Sequence, residues 1–576
     1  MCRTVLGIAV AIAASLVAPA LAADDFVEGV VLDPYGHAIA GATVRIQATP
    51  NEQTSGVDGR FRLKLLEPAS RVRVTAWKDG YYVAGTDARP GDTDLRLTLE
   101  PHVAIDHPDY EWVPPEIARS SSEEAQLHAA LDAAARESLS EAFFPLAERI
   151  ALGCRDCHGE ALYGQWVSSA HALGARNPIF LSMYNGTDLS GNRSPATRRG
   201  RSRDYGTFPL KPDPGADYYG PGYKLDFPDT AGNCATCHLP GAALHDPYGT
   251  DPNTVRGVDA LGSHCDFCHK IAAVHLDPAT GRPRANMPGV LSLKLIRPAP
   301  ERQLFFGPYD DVDVGPDAYL PLMQDSEICA PCHDASFWGV PIYESFAEWL
   351  ASPYAAGGET CQDCHMRPDG TTHNFAPGRG GVEREPASIP THGFPGAAAE
   401  ALLQEAVTLH VDAARSADEV TVTVAIANDK TGHHVPTDSP LRQLILLVRA
   451  TDDRGAPLSL IAGSRIPDWA GTRRRASGHY GGLPGKGFAK ILRDAWTGAT
   501  PTAAYWNPTR IVQDNRIAAL ATDRSEYTFA PTNGTCQVEV TLLYRRTFIE
   551  LAEQKGWDTP DIVMARQRLM LELPGG

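Results

Sequence analysis

The sequence predicts a multidomain chain: a small N-terminal β-sandwich, a central region of short helices and long loops, and a C-terminal β-sandwich-like domain. Three observations predict it. Short runs of β-formers separated by turn residues recur from Phe26 to about Glu100. Five Cys-x-x-Cys-His stretches then follow in a Gly- and Pro-rich background with weak amphipathic periodicity. From about Ala399 period-two alternation returns, as in Val420-Thr421-Val422-Thr423-Val424.

The five stretches are Cys154-Arg-Asp-Cys157-His158, Cys234-Ala-Thr-Cys237-His238, Cys265-Asp-Phe-Cys268-His269, Cys329-Ala-Pro-Cys332-His333 and Cys361-Gln-Asp-Cys364-His365. Each reads as a c-type haem attachment site. Two thiols reach the two vinyl groups on one porphyrin edge and form thioethers. The next residue swings under the ring and offers an imidazole to the iron. A single Cys-x-x-Cys also suits a zinc knuckle, a redox dithiol or a disulfide. Ten of the twelve cysteines fall into five such pairs, each followed by His, which favours five covalently bound haem c groups with His158, His238, His269, His333 and His365 as proximal ligands. The central region is therefore expected to be haem-packed, with porphyrins supplying the apolar core that its side chains lack.

Taken in order, residues 1–22 read as a secretory signal peptide. Arg3 precedes an apolar run from Val5 to Val17, and Ala20-Leu21-Ala22 supplies the cleavage site; a retained anchor is the competing reading. Export agrees with haem attachment, and places the chain in the periplasm or at the cell surface. Residues 23–100 form the first β-domain, with strands expected at Phe26–Leu32, Ala42–Ala48, Arg60–Leu65, Arg71–Trp77 and Asp94–Leu99. Residues 101–150 are a Pro-rich linker and a helix, opened by a capping box of Ser121 with Glu124 and running to about Phe144. Residues 151–398 form the pentahaem region, with helix expected only after some haem sites and around Pro341–Leu350. Residues 399–576 form the C-terminal β-rich domain, with strands at Ala406–Val411, Glu419–Ala427, Leu441–Ala450 and Cys536–Tyr544, a short helix over Arg545–Lys555, and an irregular middle from about Gly463 to Pro508. Cys536 is expected as a buried thiol in a strand, with intermolecular pairing the alternative. The formal charge of −18 argues against nucleic acid as a partner and allows steering of a basic redox protein.

The first domain resembles the carboxypeptidase regulatory-like domain through Gly29-Val30-Val31-Leu32-Asp33 with Gly36, Ile39-Ala40-Gly41-Ala42-Thr43-Val44, Asp58-Gly59-Arg60-Phe61 and Asp79-Gly80-Tyr81. That resemblance implies a structural or docking module without chemistry.

Five proximal ligands leave five sixth positions, and the chain has fourteen further histidines. The candidates are His171, thirteen residues after His158; His264, just before Cys265; His373, eight residues after His365; His392 in a Thr-His-Gly-Phe loop; and His433 in Gly432-His433-His434-Val-Pro436-Thr437. His434 rivals His433, while His245 and His275 rival His264. Met183, Met287, Met323 and Met366 offer thioethers, which would raise a haem's potential. His37, His102, His107, His128 and His479 are expected at the surface.

Residues 150–576 are similar to multihaem cytochrome c proteins related to the tetrahaem cytochrome of ammonia oxidisers. The similarity lies in Cys154-x-x-Cys157-His158 with Tyr163, Trp166, Ser169 and His171-Ala172; in Cys265-Asp-Phe-Cys268-His269-Lys270-Ile271; in Trp349-Leu-Ala-Ser352-Pro353-Tyr354 running into the fifth motif and Met366; and in Gly432-His433-x-x-Pro436-Thr437. Asp438 stands where that family's loop has Gly. The resemblance implies stacked haem pairs, mostly two-imidazole iron, and electron transfer in a respiratory chain between redox partner proteins. Two other readings remain open from the residues: an oxidoreductase acting on a small nitrogen or sulfur compound at one open haem, and a structural subunit of an extracellular or outer-membrane cytochrome assembly. No Cys-x-x-Cys-Lys motif is present, so a lysine-ligated site like that of ammonia-forming nitrite reductases is not expected.

Overall fold

The computed structural model describes residues 26–572, apart from 68, 124, 127–151, 205, 300–302, 313–316, 378–380, 473–477 and 531–532. The signal-peptide reading with Cys2, His128, and the body of the helix expected to reach Phe144 lie outside the described residues. The chain divides into two compact units, one formed by residues up to His102 with Tyr309–Tyr319, the other by Val103–Pro308 with Leu320 onward.

The first unit is built from β1 (Phe26–Leu32), β2 (Thr43–Ile46), β3 (Glu52–Thr54), β4 (Arg60–Lys64), β5 (Val72–Trp77), β6 (Ala84–Ala88) and β7 (Leu95–Thr98). They form two sheets, β4-β1-β7 and β3-β2-β5-β6. Alternation along β1 and β4 sends Val27, Val31, Phe61 and Leu63 inward, against Val44, Val74 and Leu97 of the other strands. Gly29 has a steric reason: a Cβ there would lie 2.4 Å from the Leu95 carbonyl oxygen, on the strand paired parallel to β1. Edge strands β3 and β6 had no signal in the sequence. Glu52–Thr54 is exposed throughout, and an edge strand needs no apolar alternation to pair. The distant segment Tyr309–Tyr319 joins this unit through buried Asp310, whose carboxylate accepts the Thr75 hydroxyl at 2.8 Å and whose carbonyl accepts Gln47 Nε2–H at 3.2 Å.

In the second unit the linker leads into a helix starting at residue 121. Its capping box lies one residue earlier than expected. Ser120 N–H and Oγ both donate to Glu123, at 2.8 and 2.6 Å, and Glu123 N–H returns a bond to Ser120 Oγ. The stretch from Cys154 to Ser388 holds short helices, single turns and short hairpins. Around the expected Pro341–Leu350 helix, Val340–Tyr343 is instead a strand and the helix is Ser345–Leu350.

The C-terminal part contains β8 (Thr408–Arg415), β9 (Val420–Ala427), β10 (Gln443–Thr451), β11 (Leu460–Ala462), β12 (Gly485–Phe488), β13 (Lys490–Asp494), β14 (Thr509–Asp514), β15 (Thr522–Phe529), β16 (Cys536–Arg545) and β17 (Ile562–Leu571). Sheets β8-β9-β15-β11 and β12-β10-β16-β17 share one core of Val422, Val424, Leu446, Val448, Tyr527, Phe529, Val540 and Leu542. β10 is buried on both faces, because Ile466, Trp469 and Ala470 cover Ile445 and Leu447 from outside. That explains its unbroken apolar run. The middle expected to be irregular therefore does cover a sheet, and it carries β12 and β13. His479, expected at the surface, is buried there, with Nε2 2.9 Å from Glu553 on the helix Ile549–Lys555. Cys536 is a buried residue of β16, and no described cysteine forms a disulfide. Leu446→Ala should cost about 2–5 kcal/mol, since the β10 core cannot collapse around the cavity; a urea midpoint unchanged from the parent would contradict this packing. Among the described residues no helix is long and apolar enough to cross a membrane.

Candidate functional site

Every Cys-x-x-Cys-His stretch lies on one helical turn: Cys154–Val167, Ala235–His238 with Cys234 as its cap, Cys265–Cys268 with His269 as its end, Ala330–His333 with Cys329 as its cap, and Cys361–His365. Positions i, i+3 and i+4 share one helix face, so two thiols and an imidazole point the same way. Local chemistry starts these turns. Asp156 accepts the Gly153 N–H at 2.8 Å and is clamped by Arg119 through two bonds of 2.9 Å. Asp363 accepts the Thr360 N–H at 2.7 Å in a capping box. Gly159, at φ 71°, breaks the first helix directly after His158. The third turn is fixed by the buried pair Asp266–Lys270, 2.5 Å apart, with Asp266 also accepting Tyr110 Oη–H and Val113 N–H at 2.8 Å.

The turns converge. Thiols of different motifs lie within electrostatic reach of one another, Cys154 of Cys265, Cys237 of Cys332, and Cys329 of Cys361. The neighbouring thiol, with burial, pushes Cys154, Cys332 and Cys329 up. The same neighbours hold Cys265 and Cys237 down and bring Cys361 to about 7. Cys268 lies within electrostatic reach of Cys329 and Cys332. The five Cys-x-x-Cys-His turns thus lie near one another.

Three expected proximal imidazoles are oriented by main-chain carbonyls. The Nδ1 of His158 is 3.0 Å from Phe375 O, that of His269 2.6 Å from Phe306 O, and that of His365 2.7 Å from Pro395 O. Such a bond fixes the proton on Nδ1 and leaves Nε2 as the metal-facing lone pair. Burial holds all three below the ordinary histidine value, which keeps the imidazole neutral, as a ligand must be. His333 instead has Asp438 Oδ2 3.8 Å from its Nδ1. His238 stacks face to face on Phe180, with ring centres 4.0 Å apart.

Of the distal candidates, His171 lies 6.3 Å from His333 and His433 lies 6.3 Å from His365, centre to centre. Two metal–nitrogen bonds of about 2 Å, plus about 1 Å from each nitrogen to its ring centre, place opposed imidazoles roughly 6 Å apart. Both pairs fit a shared iron. Burial, then His333 and His365, brings His171 down to about 4; burial, then His269 and His158, brings His392 down to about 3. His392 Nδ1 is buried without a hydrogen-bond partner among the described residues, and Gln165 accepts its N–H at 2.8 Å. His264 serves differently. Its Nδ1 accepts the Phe267 N–H at 3.2 Å as cap of the third turn, so its proton sits on Nε2. His373, His245 and His275 are exposed.

The rival pair His433 and His434 is separated by Glu348. Its carboxylate accepts the His434 N–H at 3.1 Å, lies 3.3 Å from His434 Nδ1, and binds Thr437 Oγ1 and Arg516 at 2.5 Å each. His434 is thereby tied to the helix Ser345–Leu350, while His433, with Nδ1 2.9 Å from the His434 carbonyl, faces His365. Gly432 lets the loop sit on Trp349, where a Cβ would come within 3.1 Å of the indole. No sequence signal pointed to Glu348 or Arg516, because their role depends on elements far apart in the chain.

Burial opposes ionisation of Glu348, but His434, Arg516 and Thr437 hold it well below the usual carboxylate range. A depressed folded-state value gives stability that is complete above the ordinary Glu pKa and is lost as pH falls through the folded one. Acidification below about pH 4.5 should therefore destabilise the parent more steeply than Glu348→Gln, read as urea midpoint against pH. Parallel curves would remove Glu348 from the acid transition.

Among the described residues no three His, Cys, Asp or Glu side chains converge as a bare metal-ion site. A haem iron asks only for two axial protein ligands, because the porphyrin supplies the rest, and the opposed imidazoles and aligned thiols fit that requirement.

Residues 27–100 match the carboxypeptidase regulatory-like domain. The chain thus carries such a domain at its N-terminus. A penta-heme cytochrome c552 from Thermochromatium tepidum is similar to this chain at 19% identity, covering 73% of this chain and 97% of that one, with a TM-score of 0.49. No curated protein matches the sequence.

Proposed function

We propose that this chain is an exported pentahaem c-type cytochrome that transfers electrons between redox partner proteins outside the cytoplasm, of the multihaem class its haem segments are similar to. The observation that carries this reading is the proximity of the Cys-x-x-Cys-His turns, with His171 of the first segment 6.3 Å from His333 of the fourth motif, and Ser326, three residues before the fourth motif, accepting the Cys361 N–H of the fifth at 2.9 Å. Adjoining attachment edges bring redox groups into a continuous path, which a carrier needs and an isolated catalytic centre does not.

Haem c, when bound, would supply one-electron chemistry at its iron. The chain's own residues do the rest. The ten motif cysteines would hold haem through thioethers, and the five motif histidines would offer imidazoles to the irons. His171 is proposed opposite His333, His433 opposite His365, and His392 beside His158 and His269. Carbonyls of Phe375, Phe306 and Pro395 keep three proximal rings in one tautomer, so a change of charge at iron meets a fixed environment.

The test is the optical spectrum of the purified protein, oxidised, reduced, and reduced under carbon monoxide, beside a pyridine haemochrome count. Five haems per chain with low-spin bands insensitive to carbon monoxide is the expected result. A shift in a fraction near one haem in five would transfer the assignment to an oxidoreductase with one open iron. A chain without haem would end the proposal.

A further inference from the structure

Asp438 is the one non-glycine residue of the Gly432–Ser439 loop with a left-handed backbone, at φ 64°. This conformation favours Gly, and among side chains Asn and Asp tolerate it best. The carboxylate is largely buried, with Oδ2 3.8 Å from His333 Nδ1 and 3.6 Å from Arg442, and with Oδ1 buried and lacking a hydrogen-bond partner among the described residues. Arg442 is also directed to the Thr437 carbonyl, at 3.1 Å, so its charge is shared. The contrast with three of the other motifs is chemical. His158, His269 and His365 face neutral carbonyls, whereas His333 faces a carboxylate.

A largely buried negative charge 3.8 Å from the far nitrogen of a metal-bound imidazole favours the more positive oxidation state of the metal. We infer that Asp438 is a positioning residue that sets the haem of the fourth motif, through His333, at a lower potential than carbonyl-backed ligation would give it. This inference rests on the haem reading above.

The test is a spectroscopic redox titration of the full chain and its Asp438→Asn, Asp438→Gly and Asp438→Glu variants, each with a haem count. Gly suits the left-handed backbone, so Asp438→Gly removes the carboxylate without asking the loop to refold. In Asp438→Asn and Asp438→Gly one step of about one fifth of the amplitude should move to higher potential, and Asp438→Glu should recover part of the shift. Five haems with every step unmoved in both variants would overturn the inference and leave the haem reading intact. A shift in Asp438→Gly alone would also overturn it, since that would be shape and not charge. A parent chain without haem would overturn both.

Discussion

Replacing Cys361 and Cys364 together by Ala should remove one haem in five, lowering the pyridine haemochrome ratio from five to four per chain. The fifth turn holds its thiols and His365 on one face, and in the proposed reading only these two sulfurs would bond to its ring. The loss should also be structural. Aromatic side chains bury about 150–250 Å², worth roughly 4–6 kcal/mol at about 25 cal/mol per Å², and a porphyrin is larger than any of them. The fifth turn is also tied to the segment before the fourth, with Ser326 Oγ accepting the Cys361 N–H and the Asp325 carbonyl accepting Gln362 Nε2–H, at 2.9 Å each. Proteolysis under native conditions should therefore open the region around residues 320–395 before the β10–β16 core. A ratio that stays at five would mean that these cysteines are not attachment points.

His433→Ala should convert about one fifth of the iron from low-spin to high-spin and make that fraction reactive to carbon monoxide. His434→Ala should not. The distinction comes from the different surroundings of two adjacent residues. His433 stands 6.3 Å from His365 with ring planes 19° apart, whereas His434 is engaged by Glu348. His171→Ala should act in the same way on a different fifth, because its partner is His333, and the double variant should show two fifths. The two changes are expected to add, since each pair belongs to a different motif. The chain should keep five haems in all four variants, as the motif cysteines are untouched. Unchanged low-spin spectra in both His171→Ala and His433→Ala would break the axial pairs apart and leave the attachment sites standing.

Much of this was legible before any coordinates. The Cys-x-x-Cys-His spacing sets two thiols and an imidazole on one helical turn through local geometry alone, as all five motifs do. Runs of β-formers between turn residues found β1 and β4, and period-two alternation found β9, because each packs one face on a core. It failed at β3, which is exposed throughout, and it understated the cover over β10, whose apolar run needed a second layer from Ile466 and Ala470.

What the sequence by itself determined is the five Cys-x-x-Cys-His turns and the character of the β-rich ends, both written in contacts a few residues apart. The tertiary structure alone decided which histidine meets which. His171 meets His333 and His433 meets His365 across long stretches of chain, and His264 is used up as a helix cap by a main-chain N–H three residues on. The same holds for the carbonyls behind the proximal rings and for Asp438 behind His333. Such partners carry no pattern in the sequence, because a main-chain oxygen is present at every residue and a single carboxylate looks like any other until the fold brings it to a ring.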